Sequence, residues 1–357
     1  MQKTTAYQQA LFPDLTAEFP STRYQGSKAK LVDWIWKQIA NLDFMTCLDA
    51  FGGTGVVAYR LKQAGKQVTY NDLLRFNYYI GLALIENNRV CLNPEEVNWL
   101  LQSHPEIIYP HFVQDNFSDI YFTNEENAWI DQTITNIRCL TGPYKFALAF
   151  FALCQACIIK RPYNLFHRKN LYIRFAEVER SFGNKATWDR SFAEWFRVFV
   201  GEANRAVLDN GQPNRALNLD AIDVPGKYDL VYVDTPYISK RSVAVDYLSF
   251  YHFLEGLTMY EEWGKHIDRR SKHQRLTPQL NDWTDKKRSH AAFDRLFQRY
   301  QESIIVVSYR SDGIPSESEL VSLLKRYKYQ VRVEHFGQYK YVLSTNSESK
   351  ELLLIGT

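Results

Sequence analysis

The run Tyr228-Asp229-Leu230-Val231-Tyr232-Val233 stops at Asp234-Thr235-Pro236-Tyr237, and that stop constrains the fold more than any other feature of the chain. β-Branched and aromatic residues without alternation read as a strand buried on both faces of a parallel sheet. Pro236 cannot continue ladder pairing, so a carboxylate and an aromatic ring emerge at the strand's carboxyl end. In open α/β sheets that end is where ligands bind. An acceptor carboxylate, a stiffened turn and a ring suit a planar base with an exocyclic amine. The plain alternative is a strand end whose Asp caps a helix.

A second motif lies far upstream, in Leu48-Asp49-Ala50-Phe51-Gly52-Gly53-Thr54-Gly55. Cys47 to Phe51 reads as a short buried strand and Val56 to Ala64 as the helix after it. Glycines at such a turn let the backbone approach a ligand and aim helix amides at it. Asn71-Asp72 closes the next apparent strand, at the distance where an acid holds ribose hydroxyls. By itself this pattern is shared with nicotinamide-dependent oxidoreductases, and Asp49 could be an ordinary strand-end carboxylate.

A third piece, Arg23-Tyr24-Gln25-Gly26-Ser27-Lys28, precedes an amphipathic helix from about Ala29 to Ile39. With the three pieces in this order, the chain resembles the α-class, Dam-like adenine-specific DNA methyltransferases over roughly residues 23 to 80 and 215 to the end. The resemblance implies S-adenosylmethionine as cofactor, held by Phe51, Gly52, Gly53 and Gly55, with Asp49 beside them. Tyr24, Gly26, Ser27 and Lys28 match the segment that closes over its methionine moiety, and Asp72 matches the ribose-binding acid. Asp220 or Asp223 falls where the family has an acid near the cofactor's adenine. Asp234, Pro236 and Tyr237 match the catalytic tetrapeptide. Thr235 departs from it, since the family has proline there, and that puts the geometry of the turn in question.

Such residues fit methyl transfer to an aromatic amine, an in-line displacement needing orientation and electrostatics more than a strong base. Asp234 would accept one amine hydrogen and meet the positive charge of the transition state. The target must leave the duplex, and Tyr237 is expected to offer a face to stack on it. The leading Asp favours adenine over the cytosine exocyclic amine, and no Pro-Cys dipeptide supports attack at cytosine carbon. RNA adenine is the nearer alternative. A DNA-binding protein without activity is a further one, prompted by Thr235.

A net charge of +3 rules out a global polycation, so any nucleic-acid surface must come from local patches. The five cysteines follow no disulfide framework, and the odd count suggests a reducing compartment. Cys154 and Cys157 form a CxxC inside the apolar run Phe146 to Ile159, which reads as a buried helix and not a metal site. Nothing reads as a signal peptide or a membrane span, so the expected location is cytoplasmic, on DNA.

The expected fold class is α/β: a Rossmann-like methyltransferase sheet, residues 1–80 and 215–357, split by a mainly helical target-recognition insertion at 81–214. Strands are expected at about 46–51, 67–71, 229–234, 303–309, 329–335 and 350–356, alternating with helices. Within the insertion, Lys160 to Arg174 mixes basic and aromatic residues, and Lys160, Arg161, Arg168 and Lys169 are the expected DNA contacts. Lys240 and Arg241, just past the tetrapeptide, are expected to meet the target strand. A second basic stretch, Lys265 to His290, reads as a loop beside the target base. The expected partners are double-stranded DNA and a cognate restriction endonuclease.

Overall fold

The computed structural model describes residues 17–177, 185–239, 244–338 and 350–357. Their contacts sort into two compact units. One contains Gly26–Gly81, Asn210–Tyr247 and Gln279–Thr357; the other contains Met1–Gln25, Leu82–Asp209 and Leu248–Pro278.

The first unit is a seven-stranded sheet. Its strands are β1 (Thr46–Asp49), β2 (Gln67–Asn71), β3 (Arg215–Leu217), β4 (Leu230–Val233), β5 (Ile304–Arg310), β6 (Val331–Gln338) and β7 (Lys350–Gly356), in the order β3-β2-β1-β4-β5-β7-β6. Strands β1 to β5 pair in parallel, and β7 lies antiparallel between β5 and β6. Strand order reverses between β1 and β4, so their carboxyl ends form the crevice where such sheets bind ligands. Strand β4 is apolar and aromatic throughout and fully buried because both its faces are covered. Leu48, Val231, Val233, Ile305, Val307, Leu352 and Leu354 form the core with Phe293 and Leu296 of the helix Ser289–Arg299.

Six of the seven strands are those expected, and the first ends two residues early. Beyond Asp49 the ladder gives way to the glycine turn, yet Ala50 N still donates to Tyr232 O (3.0 Å) and Gly52 N to Asn71 O (2.8 Å). The strand missed is β3. Its Arg215-Ala216-Leu217 carries too little β-branched signal, and pairing with β2 makes it.

The second unit is helical. Helix Phe192–Ala206 packs along Pro143–Ile159, whose Cys154 and Cys157 are fully buried, with burial pushing both thiols far up. Asn93/Glu96, Thr123/Glu126 and Ser191/Glu194 form capping boxes that start three of its helices. The sequence boundaries assigned Leu248–Pro278 to the sheet, but this stretch belongs with the helices. Phe253 packs at 5.1 to 5.6 Å against Phe117, Tyr121, Phe122 and Phe166, an aromatic cluster no periodicity reveals. Among the described residues no helix is long and apolar enough to cross a membrane.

Two expected DNA contacts are structural. Arg161 is 1% exposed, and its guanidinium donates to the carbonyls of Leu165 (3.2 Å), Tyr121 (3.1 Å) and Arg168 (3.0 Å) and to Asn170 Oδ1. Lys160 is 3% exposed and is spent on Glu126 (2.7 Å) and the Arg190 carbonyl (2.8 Å). A phosphate could reach neither without opening the unit. Arg168 and Lys169 are exposed, carried on the loop that Arg161 braces. The second basic stretch is likewise built structure: Arg270 and Arg275 pair with Asp268, Arg288 with Asp282, and Arg269 with Asn116 Oδ1. Local acids invisible to a count of positive charges hold Arg270, Arg275 and Arg288, and an amide holds Arg269.

Arg161→Met should therefore strip four buried acceptors of their donor. The expected cost is about 3 kcal/mol or more, roughly 4 °C of Tm, read by scanning calorimetry. Arg161→Lys should not restore it, because an ammonium lacks the planar fork. An unchanged Tm in either variant would show the bracing to be dispensable.

Candidate active site

Four segments of the sheet unit converge at the carboxyl ends of β1, β2 and β4. The first is the turn after β1. Gly53 and Gly55 have φ of +51° and +77°, a region that L side chains rarely adopt. Gly52 is constrained differently: a Cβ there would sit 2.0 Å from the Tyr70 ring. That ring is fixed by its hydroxyl, which donates to Gly53 O (2.7 Å) and Asn77 O (3.0 Å). Gly52 is thus required by packing and the other two by backbone conformation. Phe51 packs edge-on against Trp283 at 5.0 Å.

Asp72, after β2, accepts from Gly53 N (2.8 Å) and Leu74 N (2.8 Å), so it braces the glycine turn from the neighbouring strand. Burial pushes its pKa up to about 6, against hydrogen bonds that pull it down. Asn71 holds the loop beyond β3: its side chain bonds Ala50 O, Leu219 O and Leu219 N. In that loop Asp220 is half-buried with Oδ1 on Ile222 N (3.0 Å), and Asp223 is exposed.

Asp49 is 1% exposed, and its Oδ1 has no hydrogen-bond partner among the described residues. Burial first, then the charges of Asp234 and Asp72, push its pKa up to about 8. A buried, unpaired acceptor flanked by two other carboxylates fits a ligand that brings donors and positive charge. An amino acid-derived sulfonium cofactor is such a ligand.

The fourth segment is the tetrapeptide. Asp234 is 16% exposed and ion-paired with Lys28 (2.9 Å), which also pairs with Glu351 (3.0 Å). Tyr237 donates its hydroxyl to Asp234 (2.9 Å), and the same oxygen lies 3.3 Å from Glu351 and within hydrogen-bond reach of Lys28 Nζ. Ser308 on β5 donates to Glu351 (2.8 Å). Burial and the Glu351 charge raise the Asp234 pKa while Lys28 opposes them. Burial pulls Lys28 down, but the two carboxylates outweigh it and leave its pKa above the ordinary value.

Tyr237 does not offer the open face expected of it. The ring is 5% exposed, lies edge-on to Tyr309 at 5.3 Å, and has Lys28 Nζ 4.9 Å from its centroid. Its hydroxyl sits in the charge network instead. Thr235 is 2% exposed with Oγ1 unpartnered among the described residues, so its hydroxyl makes no hydrogen bond there that proline would lack. Pro236 is half-buried.

Gly26 is held by Tyr247: its φ is +83°, and a Cβ would meet the Tyr247 hydroxyl at 2.4 Å. Ser27 Oγ accepts from Ala29 N (3.3 Å). Tyr24 belongs to the helical unit, stacked on Tyr251 at 4.5 Å and 8°, where Gln25 N donates to the Tyr251 hydroxyl (2.7 Å). Lys240 and Arg241 lie outside the described residues. Sequence reasoning missed Glu351 and Ser308. The only signal for Glu351 was one acid at the head of the apolar run Leu352-Leu353-Leu354-Ile355.

The sheet order, with a single antiparallel strand near one edge, is consistent with a Rossmann-like methyltransferase. The chain belongs to the D12 class N6 adenine-specific DNA methyltransferase family, whose model matches residues 24–312. It is similar to the type II methyltransferase M2.HphI of Haemophilus parahaemolyticus, 30% identical over 94% of this chain and 97% of that protein. It is also similar to M.FokI of Planomicrobium okeanokoites (27%, 92% of this chain) and M.NlaIII of Neisseria lactamica (22%, 92% of this chain). The chain covers 95% of M.NlaIII but only about half, 51%, of M.FokI. The activity is therefore methylation of adenine in DNA, and the cytosine, RNA and nicotinamide alternatives fall away.

The carboxylates give a pH test with a definite sign. A carboxyl raised on folding, as Asp49 is from 3.8 to about 8, contributes stability that is full below its unfolded pKa. That contribution is lost as pH rises through its folded one. One proton costs up to about 1.4 kcal/mol per pH unit, roughly 2 °C of Tm per unit in a chain this size. Cofactor-free Asp49→Asn should lose less Tm between pH 6 and pH 8 than the parent, by about 2 °C or more. Identical slopes would mean that Asp49 does not titrate there.

Proposed function

We propose that the chain uses S-adenosylmethionine to methylate the exocyclic amine of an adenine turned out of duplex DNA at a specific site. In this reading it marks DNA within a restriction-modification system whose endonuclease reads the same sequence. The observation carrying the reading is the half-buried Asp234 carboxylate, paired with Lys28 at the end of β4, beside β1, where strand order reverses. The type II designation of M2.HphI and M.FokI supports the restriction-modification part.

S-adenosylmethionine, when bound, supplies an activated methyl carbon on a sulfonium. Gly53 and Gly55 would let the backbone pass close to it, Asp72 would serve its ribose, and the unpaired Asp49 oxygen would take a donor or face its charge. Asp220, half-buried, is the better candidate of the two acids beyond β3. Asp234 would accept one hydrogen of the adenine amine, drawing the lone pair out of conjugation. As that nitrogen gains positive charge, the carboxylate stabilises it in a site where water does not compete. No strong base is needed, because the cation is acidic once formed.

Asp234→Ala should lower turnover by about 10² or more, the usual loss for one pre-organised polar group at a reacting centre. S-adenosylmethionine binding, measured by calorimetry without DNA, should stay within a few fold. Retention of more than a tenth of the parent rate would remove Asp234 from the chemistry.

The exposed Arg168 and Lys169 are the remaining candidates for phosphate contact in the helical unit. Replacing both by Ala should weaken binding to duplex DNA and flatten the log–log salt slope by up to about 1.8, near 0.9 per contact. A change in the methylated sequence at one position, with the slope kept, would instead assign base reading to one of them. If neither slope nor sequence moves, that loop makes no DNA contact.

A further inference from the structure

We propose that Glu351 is a positioning residue for the methyl transfer: it takes up the charge of Lys28, so that Asp234 faces the adenine amine as an uncompensated acceptor. The inference rests on the reading of Asp234 as the amine acceptor. It goes beyond that reading by assigning a role to a strand residue that no motif marks.

Lys28 is 4% exposed, and its ammonium lies 2.9 Å from Asp234 and 3.0 Å from Glu351. A buried ammonium at that distance would cancel Asp234 if the two were alone, and a neutral pair does little for a cation forming at adenine N6. Glu351 adds a second negative charge, so the three groups together carry one net negative charge. Its position is held from two sides. It is 0% exposed on β7, where its backbone pairs opposite Arg310 of β5 and Phe336 of β6, and Ser308 Oγ on β5 donates to its Oε1 at 2.8 Å. The same Oε1 is the atom 3.0 Å from Lys28 and 3.3 Å from the Tyr237 hydroxyl.

Glu351 also acts on Asp234 through space. A like charge nearby makes a carboxylate more basic and hence a stronger acceptor for an N–H. The other ionisable groups around this network are Asp49, Asp72 and the hydroxyls of Tyr232, Tyr237 and Tyr247. None of them is an ion-pair partner of Lys28 among the described residues.

The test compares Glu351→Gln, which keeps shape and hydrogen bonding but not charge, with Glu351→Asp, which keeps charge on a shorter arm. Turnover is followed from pH 5 to pH 9 with saturating S-adenosylmethionine and duplex DNA. Glu351→Gln should lower kcat about tenfold or more, leave the Kd for S-adenosylmethionine within about threefold, and move the acid limb of the kcat profile to lower pH. Glu351→Asp should retain more activity than Glu351→Gln, with its acid limb near the parent's. The reverse order, or a Gln variant within twofold of the parent and an unmoved limb, would overturn the proposal, since a packing role favours the isostere. Should Glu351→Gln fail to fold, Ser308→Ala carries the same test: kcat at least threefold lower with cofactor affinity kept supports it, and an unchanged kcat overturns it. Asp234→Ala separates the two readings. If that variant is active, the acceptor assignment itself fails; if it is inactive and both Glu351 variants behave as the parent, only the role of Glu351 fails.

Discussion

Asp49, Asp72, Asp234 and Glu351 crowd one edge of the sheet, and among the described residues the buried Lys28 pairs with two of them, Asp234 and Glu351. Such crowding is unfavourable by itself: burial and the charges of Asp234 and Asp72 drive Asp49 up to about 8, and burial drives Asp72 up to about 6. The cost is tolerable because the ladders around it are complete and apolar, with Leu48, Val231, Val233, Val307 and Leu354 fully buried. The packed sheet over-determines the positions of charges that would otherwise separate. This is the usual arrangement at a functional site, where local strain persists because its surroundings are strong.

The crowding also bears on the order of parts. In the function proposed, a cofactor carrying a sulfonium and an amino group would relieve Asp49 when it binds. Asp234 differs because it already has Lys28 and Tyr237. On the proposed reading, holding the cofactor and accepting the base would be separate tasks on separate strands, and Glu351 of β7, beside β5, would tie the second to the closing strand of the sheet.

Much of this was legible in the residues. The strand ending in Asp234, the glycine turn after Asp49 and the acid at Asp72 each stand at a boundary between apolar run and breaker, and breakers carry positional meaning. The helices Val32–Ile39 and Phe192–Ala206 follow apolar spacing. Illegible were contacts between residues far apart in the chain. Arg161 looked like a DNA contact because charge is local information and burial is not; its four acceptors, from Tyr121, Leu165, Arg168 and Asn170, appear only after folding. Leu248–Pro278 looked like part of the sheet because it follows the tetrapeptide, whereas Phe253 and Trp263 draw it into the helical unit.

The sequence by itself determined the class of fold, the order of the three motifs and the carboxylate that ends β4, because these depend on short runs whose chemistry is local. Only the tertiary structure decided what each carboxylate meets. It buried the Tyr237 ring that was expected to face a base, because Tyr309 packs against it and Lys28 lies over it. It made Gly52 a packing requirement of Tyr70, 18 residues on in the chain. It brought Glu351 to Lys28 across 323 residues of sequence, since strand β7 enters the sheet last and antiparallel beside β5. Charges so distant in sequence interact strongly only when folding removes the water between them, and no pattern along the chain encodes that removal.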